Sequence, residues 1–113
     1  MFEVARRKAQ MVKEWREWAE KICKAVREMF PDAEVYVIGS VARGEAVAAS
    51  DVDLLIALPE VPERALERAR IIVEIEDRAG LPWGGHPFEF HLATKEEAKV
   101  WLERSGKNIK LTV

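Results

Sequence analysis

Apolar residues in the first thirty positions recur at helical spacing. Met11, Trp15, Trp18, Ile22, Val26 and Met29 follow one another at steps of three or four, with Lys13, Glu14, Arg16, Glu17 and Arg27 between them. That spacing puts one apolar stripe on a helix and leaves the charges in water. It predicts one long helix over residues 2–30, packed on a sheet and stopped at Pro31. Cys23 lies beside the stripe as a small buried apolar group. The first part of the helix extends far enough for Phe2, Trp15 and Trp18 to be candidate anchors for a partner.

The period then shortens. Glu34-Val35-Tyr36-Val37-Ile38 is rich in β-branched and aromatic residues and predicts a strand that runs straight into Gly39-Ser40. Val41 to Gly44 predict a short helical turn, with a small-residue loop from Glu45 to Ser50. Asp51 to Leu58 contains the continuous apolar run Leu54-Leu55-Ile56-Ala57-Leu58, as a strand buried on both faces would. Pro62 to Ala79 predict a second helix, with Pro62 in its first turn, Gly80 at its end and an apolar face of Ala65, Leu66, Ala69, Ile72, Val73 and Ile75. Leu81 to Gly85 form a turn in which Trp83 is expected to plug the core, with a lid near the base as the alternative. Phe88-Glu89-Phe90-His91-Leu92 alternates strictly and predicts a third strand. Thr94 and Glu97 form a capping box for a helix to about Ser105, with Ala98, Trp101 and Leu102 inward and Gly106 closing it. Ile109 to Val113 are left as an edge strand or a tail.

The element order is helix, strand, strand, helix, strand, helix. It implies an α/β (α+β) fold with a small mixed sheet, helices on one face and acidic groups on the other. At 113 residues the chain is expected to form one domain over 1–113. Bulk properties narrow the function. A net charge of -2 gives no electrostatic footprint for nucleic acid. The single cysteine excludes an intrachain disulfide or a cysteine-based zinc site. With no apolar run of membrane-spanning length and no secretory leader pattern, a cytoplasmic protein is expected.

The chemistry concentrates in Gly39 to Leu58. Side chains alternate along a strand, so Asp51 and Asp53 point the same way. Two adjacent carboxylates repel each other, and a divalent cation removes that cost. Upstream, Gly39-Ser40 offers close backbone approach, N–H groups and a hydroxyl, which suit phosphate. Arg43 is either a bidentate phosphate contact or half of a surface ion pair. On the third strand Glu89 and His91 share a face. His91 is read first as a satisfied sheet histidine, with a hydrogen bond to a carboxylate or a contact to the nucleotide as the alternatives, and His86, before Pro87, as a turn residue.

This stretch resembles the nucleotidyltransferase superfamily that includes DNA polymerase beta. The minimal nucleotidyltransferases carry Gly-Ser, ten residues, then Asp-x-Asp, which here is Gly39, Ser40, Asp51 and Asp53. Arg43-Gly44-Glu45 and Ser50 match the same form. The resemblance implies Asp51, Asp53 and Glu89 as catalytic and metal-binding residues, although many relatives carry Asp where Glu89 stands. It implies Gly39, Ser40, Arg43 and Ser50 as nucleotide-binding residues, Mg2+ as cofactor and ATP as donor. It further implies AMP transfer to a tyrosine of an all-helical HEPN toxin, the chain acting as antitoxin within a hetero-oligomer. Two other outcomes stay open: a silent module that neutralises a partner by contact, and transfer to a small molecule or an RNA end.

Overall fold

A computed structural model of the chain describes residues 2–83 and 85–112, and of Phe2 the backbone only. The expectations that rest on the Phe2 side chain, Gly84 and Val113 lie outside the described residues. The elements in order are α1 (Phe2–Lys13), α2 (Trp15–Met29), β1 (Glu34–Ile38), α3 (Gly39–Ala42), β2 (Val52–Leu58), α4 (Ala65–Ala79), β3 (Phe88–Thr94), α5 (Lys95–Ser105) and β4 (Ile109–Leu111).

The long first helix is two helices. The chain leaves helical geometry at Glu14 (φ -97°, ψ 22°), between α1 and α2. No proline or glycine marks this break, so the stripe reads through it. Trp15 and Trp18 pack partly buried against the core, and each ring is covered by a neighbouring cation: Arg16 lies 4.6 Å from the Trp15 centroid and Lys21 lies 4.6 Å from that of Trp18. Cys23 is buried, as its place beside the stripe implied.

The strands form one mixed sheet in the order β3-β2-β1-β4. β1 pairs antiparallel with β2 and β4, while β2 and β3 run parallel. A parallel pair needs a crossover, and α4 supplies it. Gly80 ends α4 in the left-handed region (φ 72°), and the Leu81 N–H donates to the Glu76 carbonyl at 2.9 Å, closing the last turn. The helix itself begins at Ala65, three residues beyond Pro62.

The central position of β2 explains its composition. Val52, Leu54, Ile56 and Leu58 belong to the core beneath α2 and α4, with Ile22, Val26 and Ile75. Leu55 and Ala57 face the other way, into a second cluster with Ile38, Ala93 and Ala98. Both faces are therefore dry, and an uninterrupted apolar run results. The expected mixed sheet and helices are present, with one difference in layout. α5 packs over the face that carries the acidic groups, through Ala98 and Leu102. Its capping box is formed, with Thr94 Oγ1 accepting from the Glu97 N–H and Glu97 Oε1 from the Thr94 N–H.

Candidate active site

The last residue of β1, Ile38, lies opposite Asp53. Directly after it Gly39 turns the chain with φ +75°, a conformation that disfavours any side chain. A Cβ on Gly39 would stand 2.6 Å from Asp53 Oδ2, so the carboxylate rests directly on the backbone of the turn. Glycine is required here on both counts.

Across the parallel pair, Asp53 stands opposite Glu89, and Leu55 opposite His91. Alternation then brings Asp53, Glu89 and His91 to one face. His91 Nε2 lies 3.1 Å from Asp53 Oδ1, and one ligating atom from each of the three side chains falls within 4.8 Å of the others. Asp53 and His91 are half-buried and Glu89 is exposed. The His91 ring packs on Trp101 of α5, with centroids 5.1 Å apart and planes tilted by 38°.

Beside this group lies an open cavity of about 670 Å3, lined by Gly39, Arg43, Asp53 and His91 on one side and by Val100, Trp101 and Arg104 of α5 on the other. That volume is within the roughly 300–1,000 Å3 typical of small-molecule sites. Trp101 was expected to point into the core. It is instead 42% exposed and forms the cavity wall. Only Ala98 and Leu102 make the inward stripe of α5; Trp101 sits on its flank. Arg43 lines the cavity and holds Glu45 in a surface ion pair at 3.4 Å, the second of the two roles its position allowed.

The other expected site residues are placed differently. Ser40 follows Gly39 and is half-buried. Asp51 precedes the first residue of β2, is exposed, and stands outside the group formed by Asp53, Glu89 and His91. The alternation argument holds only inside a strand, and the strand starts at Val52. Ser50 Oγ accepts from the Val47 N–H at 2.8 Å, and Ser50 and Asp51 line a separate depression with Lys8 and Pro87. Trp83, expected to plug the core, is 83% exposed. His86 is a turn residue as expected. Its Nδ1 accepts from the Phe88 N–H at 3.1 Å, which leaves the proton on Nε2 to donate to Glu76 at 2.6 Å.

The model of the nucleotidyltransferase domain family matches residues 19–107. The chain belongs to that family. The match runs from α2 through α5 and so takes in every residue of the cavity. Solved structures resemble this nucleotidyltransferase domain as well. A candidate nucleotidyltransferase from Sulfolobus solfataricus aligns with TM-score 0.61 and 22% identity, covering 96% of this chain and 83% of its own. A second candidate nucleotidyltransferase aligns with TM-score 0.53 and 28% identity, covering 80% of this chain and 94% of its own. No curated protein is significantly similar to the chain.

Membership of the family makes a divalent cation the natural occupant of the acidic group, and the donors fit one. Two carboxylates and an imidazole converge from adjacent strands; Asp53 and His91 are half-buried and line the cavity, and Glu89 is exposed beside them. Among the described residues no helix is long and apolar enough to cross a membrane.

Proposed function

We propose that this nucleotidyltransferase transfers AMP from ATP to a tyrosine hydroxyl of a HEPN-type partner, acting as its antitoxin. The observation that carries the transfer chemistry is the convergence of Asp53 and Glu89 on one face of the sheet, with Asp53 resting on the Gly39 turn and lining the cavity. The cation, Mg2+ by the habit of the family, would lie between Asp53 and Glu89 and neutralise charge on the triphosphate. Asp51, which the motif pairs with Asp53, is exposed just before β2 and stands outside this group, so in this reading Asp53 and Glu89 carry the site. Gly39 and Ser40 present N–H and hydroxyl donors to phosphate, and Arg43 adds a cationic one. Trp101 and Val100 give the base an apolar shelf. The acceptor oxygen attacks the α-phosphorus, the bond to pyrophosphate breaks, and the exposed carboxylate of Glu89 takes the proton.

The donor, the acceptor and the partner rest on the form of the motif, Gly39-Ser40 with Arg43-Gly44-Glu45 and Ser50-Asp51-Val52-Asp53, which is that of the minimal nucleotidyltransferases. The open side of the cavity leaves room for a macromolecular acceptor. The test is incubation of the protein with α-labelled ATP, a divalent cation and the HEPN-type protein co-expressed with it. Label moves to the partner, and Asp53→Ala or removal of the acceptor tyrosine abolishes transfer. Silencing of the partner by Asp53→Ala, with no label transferred, would replace this reading with a contact antitoxin. Label on RNA or a small molecule would change the acceptor alone.

A further inference from the structure

The Asp53–Glu89 pair is enough for an oxygen-loving cation, yet a third donor of different character stands with it. His91 comes from the same strand and face as Glu89, and its Nε2 lies 3.1 Å from Asp53 Oδ1. In an octahedral shell with bonds of roughly 2.1 Å, neighbouring ligand atoms are about 3.0 Å apart. The Asp53–His91 spacing is therefore that of one edge of a coordination shell. The ring is held in place by its packing on Trp101, and exposed Glu89 is free to close the remaining distance.

We infer that His91 is a direct metal ligand and that it tunes this site toward a first-row transition-metal dication such as Mn2+, in preference to Mg2+. The inference deepens the transferase reading and rests on it for the presence of a cation. Mg2+ is hard, favours oxygen and gives up water reluctantly, so it gains little from an imidazole. Imidazole suits later first-row dications such as Fe2+, Ni2+ and Zn2+, and Mn2+, at the weak end of that row, also suits carboxylate. When the ion binds, Nε2 presents its lone pair, and any proton it carried toward Asp53 leaves to solvent.

A plain hydrogen bond from His91 to Asp53 would have the same length, so the test must separate ligation from orientation. His91→Gln keeps a donor of similar reach and removes the imidazole nitrogen. The chain has two histidines, so His86→Gln serves as the control. The full-length protein is titrated with Mn2+ alone and with Mg2+ alone by calorimetry, and the Mn2+ form is examined by pulsed electron paramagnetic resonance. The expected result is nitrogen modulation from a coordinated imidazole in the wild type and His86→Gln, absent in His91→Gln. Mn2+ affinity falls at least roughly tenfold in His91→Gln, the lower end of what losing even an outer partner of a ligand costs. Mg2+ affinity changes little. Mn2+ binding without nitrogen modulation, or equal affinity in His91→Gln, overturns the inference and leaves the transferase reading intact. Failure of both ions to bind in any way sensitive to Asp53→Ala overturns both.

Discussion

Gly39 shows how much a single position can decide. Its φ of +75° and the 2.6 Å approach of Asp53 Oδ2 to a virtual Cβ are separate constraints. Gly39→Ala should lower stability by about 1–2 kcal/mol through the left-handed backbone. It should also push the Asp53 carboxylate off its seat and cut transfer roughly a hundredfold, the scale of a 1 Å misplacement. Denaturant melts alongside single-turnover rates would separate the two effects. Trp101 is the other decisive residue. Stacking of a base on an aromatic ring is worth about 1–3 kcal/mol. Trp101→Ala should therefore raise KM for the nucleotide about tenfold with kcat little changed, and Trp101→Phe should restore most of the loss. Of these two residues the sequence announced only one. The Gly-Ser spacing singled out Gly39, and alternation placed Glu89 on an acidic face. Trp101 was hidden because Ala98, Trp101 and Leu102 lie at steps that fit one inward stripe, and periodicity cannot say where such a stripe ends. A carboxylate partner for His91 was legible in the sequence, but alternation carries no register and could not name Asp53 as that partner.

Among the elements, β4 is held at its edge by charge. Lys110 Nζ donates to Glu34 Oε2 at 2.9 Å across the β1–β4 pair. This bond holds the Glu34 carboxyl below the usual carboxylate range, and Glu34 in turn holds the Lys110 ammonium above the ordinary lysine value. The signs set a window. The Glu34 contribution is complete above its unfolded pKa and is lost as pH falls through the lower folded value. The Lys110 contribution is complete below its unfolded pKa and is lost as pH rises through the higher folded value. The pair thus acts across the neutral range and fails at both extremes. It is exposed and screened by salt, so its effect is local and small. Amide exchange should show β4 losing protection relative to β1 in acid and in high salt, and Lys110→Met should remove both dependences. The strands and the capped helix α5 were legible because each carries its own signal: β-branched runs, strict alternation, Thr94 with Glu97. The break at Glu14 was not, because the two helices share one apolar stripe and no breaker residue separates them.

At the scale of the whole molecule, composition and element order foretold a mixed sheet under helices. They did not foretell which strands run parallel or that α5 would cross the acidic face. Those are long-range choices. The parallel partner of β2 depends on α4 spanning the sheet, and the seat of α5 depends on Leu55, Ala57 and Ala93 being left uncovered by α2 and α4. The cavity is a product of that second choice, because its far wall is α5.

The parallel pairing of β2 with β3 also has a consequence for synthesis. Gly39 through Asp53 emerges from the ribosome as an unbroken motif, yet the partner carboxylate and imidazole arrive only after α4 has been made and has folded back. A growing chain can thus carry the full signature while being unable to capture an ion. The group of Asp53, Glu89 and His91 is complete only when the third strand docks, and the cavity beside it only when α5 follows.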